Sequence, residues 1–203
     1  MPKIVDPSAR RRAVAEAVLR IVSRSGLEAA SLRNVADEAG LAVGSVRHYF
    51  TDHDEMVIFA MGELADRVER RVRARAEGIF AAGPGEHRAR TEELLTELLP
   101  VDDARYEEST LWIAFITAAR TRPGLRPRAV EAQANMLVLL RRVLCGAQEA
   151  GGLPAGLDVE LESVRLAALL DGLTLQAVLE PERVGADVLL GVLRRHLDSL
   201  RNG

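Results

Sequence analysis

Four polar side chains fall within about one and a half helical turns: Ser45, Arg47, His48 and Tyr49. They bring together a hydroxyl, a guanidinium, an imidazole and a phenol, with no carboxylate among them. A guanidinium can pair bidentately with guanine O6 and N7, and the other three groups suit phosphate oxygens. Ser31, Arg33, Thr51 and His53 stand at expected helix starts on either side, where free backbone amides add to phosphate binding. Other chemistry is missing. His48, His53, His87 and His196 form no metal-ligand pattern, and Cys145 lies among apolar helical residues with no histidine close in sequence, as a small core side chain would. Gly83-Pro84-Gly85 lacks the Lys-Ser/Thr ending of a phosphate loop, and there is no Gly-x-Ser-x-Gly elbow. No catalytic residue, cofactor or metal is therefore assigned.

The elements that must position these groups read as helices almost throughout, with apolar residues recurring at three and four. Asp6-Pro7 is an N-cap with proline in the first turn, and the face Val14, Ala17, Val18, Ile21, Val22 runs to a stop at Gly26. Ser31 caps a short second helix that Gly40 terminates, and a third runs from about Gly44 to Phe50. Two helices meeting at a tight turn need a small residue at the contact, a glycine at the turn and apolar side chains to lock the crossing. Ala36, Gly40 and Val46 meet these needs, with Val35, Ala39 and Leu41 completing the lock in the spacing of a helix-turn-helix. An ordinary αα-corner has the same spacing, and the polar face at 45–49 favours the DNA-binding unit over it.

Acids at 52, 54 and 55 open a long fourth helix that continues to about Ile79, before Gly83-Pro84-Gly85 breaks it. Further helices are expected at about 87–99, 104–121, 126–150, 159–179 and 184–201, which makes nine. The absence of a low-complexity linker suggests that head and body share the fourth helix.

Bulk properties set the class. The 203 residues are 48% hydrophobic and 28% charged, which fits a globular protein and excludes a disordered tail. A single cysteine permits no intrachain disulfide, and no apolar run approaches the roughly 18 residues of a membrane span. With no secretory h-region at the N-terminus, a cytoplasmic location and no membrane partner are expected. Net charge is −3, yet residues 1–50 hold eight basic against five acidic residues and the rest hold 19 against 25. A head at +3 on a body at −6 fits a nucleic-acid-binding segment joined to a domain with another task; a solvated basic helix face would look the same.

Residues 8–62 resemble the DNA-binding head of the TetR family of bacterial transcriptional regulators. The resemblance rests on Ser31-Leu32-Arg33-Asn34-Val35-Ala36-Asp37-Glu38-Ala39-Gly40-Leu41 and Val43-Gly44-Ser45-Val46-Arg47-His48-Tyr49-Phe50. Two positions depart from the family pattern. Arg47 stands where tyrosine is frequent, which suggests a guanine contact, and His53 stands where lysine is usual, which replaces a fixed positive charge with an imidazole. In the body, residues 170–181 and Leu111-Trp112-Ile113-Ala114-Phe115 are similar to the choline-regulator-like branch. The resemblance implies an all-α, nine-helix fold with a helix-turn-helix domain over 1–50 and a ligand-binding and dimerisation domain over 51–203.

It also implies a homodimer in which the last two helices pack against their copies. The stripe Leu161, Val164, Ala168, Gly172, Leu175, Leu179 and the stripe Val188, Val192, His196, Leu200 suit that role, with monomer core as the alternative. For a small-molecule effector, Trp112 and Phe115 are candidate pocket residues, with Met136 and Leu140 for an opposite wall; core packing is the alternative for each. Asp171, set among leucines, is a further candidate, and if buried it needs an arginine or hydroxyl partner. The expected function is that of a ligand-released repressor binding a palindromic double-stranded DNA operator as a homodimer. The competing readings are an α-helical small-molecule-binding protein or enzyme without DNA binding, and a regulator controlled by another protein.

Overall fold

The structure, a computed structural model, describes residues 6–80, with the side chains of 78–80 excepted, and 86–201. Among them are nine α-helices and no strand: α1 Pro7–Ser25, α2 Leu32–Ala39, α3 Val43–Tyr49, α4 His53–Phe80, α5 His87–Thr96, α6 Asp103–Ala119, α7 Arg126–Glu149, α8 Val159–Leu179 and α9 Ala186–Ser199. A 3₁₀ turn, Leu27–Ala29, follows α1. The break expected at Gly83-Pro84-Gly85 lies outside the described residues.

Local chemistry accounts for the ends of the first helices. Asp6 accepts from the Ser8 amide at 3.0 Å, and Pro7 occupies the first turn. Ser31 accepts from the Asn34 amide at 3.2 Å and so caps α2, while the Asn34 side chain donates to the Ala29 carbonyl at 2.8 Å. Gly40 closes α2 at φ 65°, a left-handed conformation that glycine adopts without Cβ strain. The Leu41 amide then reaches the Ala36 carbonyl at 2.9 Å and the Gly40 amide the Asp37 carbonyl at 3.2 Å, the paired bonds of a Schellman ending. Ser31→Ala removes the cap; we expect a loss of about 1 kcal/mol, seen as a fall of about 2–4 °C in the thermal midpoint.

The chain divides into two compact units. One comprises residues up to Arg67 together with Thr110–Val130; the other comprises Val68–Ser109 and the chain from Glu131 onward. This division differs from the boundary expected at residue 50, for a physical reason. Helices α1 to α3 by themselves bury too little apolar surface to stand alone. The first unit completes its core with Met56, Val57, Ala60, Met61 and Leu64 of α4 and with Leu111, Phe115, Ala119 and Leu125. These pack with Val14, Val18 and Val22 of α1, Val35 and Ala36 of α2 and Val46 of α3. Burying Val46 completely holds α3 in place, at about 1.5–3 kcal/mol for a side chain of this class.

The second unit has its own core, built from Leu94, Leu95, Leu99, Leu140, Leu144, Leu166, Leu170, Leu173, Leu189, Leu193 and Leu197. Among the described residues, no helix is long and apolar enough to cross a membrane.

Candidate nucleic-acid interface

Helix α3 has one buried side chain, Val46, and presents Ser45, Arg47 and His48 to solvent. Tyr49 is half-buried, with its ring edge-on to His48 at a centroid distance of 5.2 Å. Arg33 is exposed on α2. Neither Arg33 nor Arg47 forms an ion pair among the described residues, whereas Arg20 and Arg24 of α1 both donate to Glu38, at 2.7 and 2.6 Å. The basic side chains of the head therefore fall into two sets, one bound to an internal acid and one open to an external anion. Salt bridges hold the Glu38 carboxyl below its ordinary value, the Arg20 bond first and then Arg24.

At the start of α4 one expected contact, Thr51, proves to be engaged within the fold. The Thr51 amide and hydroxyl both donate to Glu55, at 2.8 and 2.7 Å, and Asp52 accepts from the Glu55 amide at 2.8 Å. This reciprocal cap depresses the Glu55 carboxyl, chiefly through the Thr51 amide and then its hydroxyl. The Thr51 hydroxyl proton is thus already used, which leaves the side chain no donor for a phosphate oxygen. The Ser31 oxygen, by contrast, accepts from the Asn34 amide, and that bond leaves its hydroxyl proton for a phosphate.

Two residues of the head escaped sequence reasoning. Arg11 of α1 lies over the rings of Phe50 and Phe59, 5.0 and 4.4 Å from their centroids, which ties α1 to the end of α3. Arg122 follows α6 and approaches His53. Arg11 sits inside an Arg10-Arg11-Arg12 run that reads simply as surface charge, and Arg122 is distant in sequence from everything it touches.

The body candidates fall in different places. Trp112 is half-buried and Phe115 is 1% exposed, ring centroids 6.0 Å apart, both packed in the first unit's core. Met136 is partly buried and Leu140 fully buried in the core of the second unit. Asp171 is exposed on this chain, and its partner is the Gln133 amide at 3.5 Å instead of the expected arginine or hydroxyl. Desolvation beside the leucines pushes its carboxyl up, against the pull of that amide.

On α8, Leu161, Val164, Ala168, Leu175 and Leu179 are exposed and Gly172 is half-exposed; on α9, Val188 and Val192 are exposed. Leu200, assigned to the same stripe, is instead 2% exposed and belongs to the core. His196 is half-buried, with Nδ1 3.3 Å from the Arg165 guanidinium; burial and then that charge push its imidazole down.

Comparison with known proteins agrees with this geometry. Residues 15–58 match the family described as "Bacterial regulatory proteins, tetR family", and residues 87–202 match "BetI-type transcriptional repressor, C-terminal". The chain is 34% identical over 200 residues to the HTH-type transcriptional regulator PksA of Bacillus subtilis, covering 98% of this chain and 94% of that one. It is 26% identical to the HTH-type transcriptional regulator BetI of Vibrio parahaemolyticus, covering 98% and 95%. A transcriptional regulator from Rhodococcus sp. Rha1 superposes with a TM-score of 0.81 at 30% identity, covering 95% of this chain and 96% of that one. An exposed polar α3 locked by Val46, both family matches and relatives aligned end to end lead to one conclusion: the chain belongs to the TetR family of bacterial helix-turn-helix transcriptional regulators.

Proposed function

We propose that the protein works as a homodimeric repressor in which two copies of α3 enter successive major grooves of a palindromic operator, and that a small-molecule effector held by the body releases DNA. The observation that carries the dimer is the apolar face of α8 and α9. Five exposed apolar side chains on one helix and two on the next are a large unpartnered surface for a single chain. A two-fold axis covers such a face with its own copy, and Gly172 permits close approach. The same axis would set the two α3 helices one helical turn of DNA apart, about 34–36 Å, so a state with another spacing would bind the operator less well.

On this reading Arg47 contacts guanine, while Ser45, His48, Tyr49, His53, Arg33 and Ser31 contact the backbone, and Thr51 does so only by releasing its hydroxyl from Glu55. Effector contact is assigned to the partly buried Trp112 of the first unit or to the partly buried Met136 of the second, with Phe115 and Leu140 behind them in their own cores, and the chain carries out no catalysis. Release would pass along α4, whose residues divide between the two compact units at Arg67.

The test is selection from random-sequence duplex DNA by the purified protein, followed by sequencing and a salt titration on the selected site. A palindrome bound with steep salt dependence supports the reading; enrichment of no sequence by folded protein counts against it. Leu175→Glu tests the dimer separately. A carboxylate on the buried side of the interface costs several kcal/mol, so we expect dimerisation to weaken by at least about a hundredfold in sedimentation equilibrium, with operator affinity falling in parallel. An unchanged dimer would remove the α8–α9 face from the interface.

A further inference from the structure

The connector after α6 is built to seat on the beginning of α4. It turns tightly, with the Thr121 and Arg122 amides both donating to the Ala118 carbonyl at 3.0 and 2.9 Å, and it is anchored by Leu125, which is fully buried. Gly124 lies against Asp54 so closely that a Cβ there would stand 2.5 Å from the Asp54 carboxylate. Arg122 extends from this turn and meets three groups of the head. It donates to Glu28 Oε1 at 2.5 Å through Nη2, lies 3.2 Å from His53 Nδ1 through Nη1, and is 3.7 Å from Asp54 Oδ1. His53 Nδ1 is also 3.4 Å from Asp54 Oδ1.

A guanidinium has only donors to offer. Of the two groups that face Nδ1, the guanidinium is the nearer, at 3.2 Å against 3.4 Å for Asp54, and that contact needs Nδ1 to accept, with the ring proton on Nε2. We propose that Arg122 is a positioning residue for DNA binding: by donating to Nδ1 it fixes His53 as the Nε2–H tautomer, with Nε2–H as the one donor the ring can offer to a phosphate oxygen. This rests on the reading of His53 as a phosphate contact. An ordinary lysine at this position would bring its own charge and need no such partner. The imidazole needs its tautomer set, and the connector supplies the group that sets it. Among the groups facing the ring, Asp54 Oδ1 can only accept from Nδ1 and so favours the opposite tautomer, and Glu28 holds the far side of the guanidinium.

The experiment compares full-length wild type, Arg122→Leu, His53→Ala and the double variant, each checked by thermal melting. The probe is a mixed-sequence DNA duplex at low salt, where phosphate contacts dominate. His53→Ala is expected to weaken binding about three- to tenfold, the worth of one hydrogen bond. Arg122→Leu should do the same in the wild-type background and add nothing when His53 is already alanine. Ring ¹⁵N spectra of the free protein at alkaline pH should show His53 as the Nε2–H tautomer in wild type and a mixture of tautomers in Arg122→Leu, with Arg122→Lys restoring the first.

Equal weakening by Arg122→Leu in both backgrounds would overturn the proposal, because Arg122 would then act on its own account. So would a wild-type ring in the Nδ1–H form. If His53→Ala leaves binding unchanged, the phosphate reading itself fails and the proposal falls with it. If His53→Ala weakens binding and Arg122→Leu changes neither affinity nor tautomer, only the positioning role fails.

Discussion

Arg47→Ala is expected to weaken binding to the selected operator by about 1–3 kcal/mol for each half-site and to flatten the preference at one base pair within it. The reason is geometric. Arg47 is exposed on α3, one residue beyond the buried Val46 that locks the helix, and no acid among the described residues claims its guanidinium. Its planar fork can satisfy guanine O6 and N7 together, and no other residue of the exposed α3 face can do so. Arg47→Lys separates charge from fork. It should keep binding to mixed-sequence DNA near wild type while losing most of the preference at that base pair, as read by repeating the selection with each variant. If Arg47→Ala instead weakens all sequences equally and lowers the salt slope by about one, Arg47 contacts phosphate and the base reading is wrong.

The head was legible because the features that build it are local. Ser31 caps α2 from three residues away, Gly40 needs only its own φ, and Val46 faces inward because its neighbours Ser45 and Arg47 cannot. The stripes on the last two helices show where periodicity helps and where it misleads. Leu161, Val164, Ala168, Gly172, Leu175 and Leu179 step by three and four, close to the helical repeat, and stay on the outer face. Val188, Val192, His196 and Leu200 step by four each time, so every step drifts about 40° around the helix. Burial increases along that drift: Val188 is 46% exposed, Val192 37%, His196 half-buried and Leu200 2%.

Long-range pairing was not legible at all. Arg122 meets His53 and Glu28 across 69 and 94 residues, and nothing in the local sequence around Pro123-Gly124 marks the arginine as a partner. Thr51 is a local case that was also missed: its side chain looks free at a helix start, but its hydroxyl donates to Glu55 four residues on. Phe115 and Leu140 have the spacing and type of pocket residues, but that pattern is shared with any buried face, and both lie in separate cores.

Glu97 is the clearest case of a residue that sequence reading passes over as one acid among several in a helix. Its side chain is 3% exposed, and three arginines converge on it: Arg75 on Oε1 at 2.9 Å, Arg105 and Arg71 on Oε2 at 2.8 and 3.3 Å. Arg71 is held in turn by a bidentate pair to Glu108 at 2.8 and 2.6 Å. Burial alone would push the Glu97 carboxyl up, but the bonds and charges of Arg75 and Arg105 outweigh it and leave the group below its ordinary value.

Glu97→Gln keeps the shape and removes the charge. Breaking a buried pair costs about 3–5 kcal/mol, and we expect the lower end because Arg71 and Arg105 retain Glu108 and Asp102, and Arg75 reaches solvent. About 3 kcal/mol corresponds to a fall of about 6–12 °C in the thermal midpoint for a chain of this size. The pH dependence has a fixed sign. A carboxyl depressed in the folded state contributes its full stability above the unfolded value of about 4.3 and loses it as pH falls through the folded one. The gap between wild type and Glu97→Gln should therefore be constant from neutral pH down to about 5 and close below it. Melting curves across that range decide the matter: a midpoint within about 2 °C of wild type at neutral pH would mean that the three arginines do not need their acid.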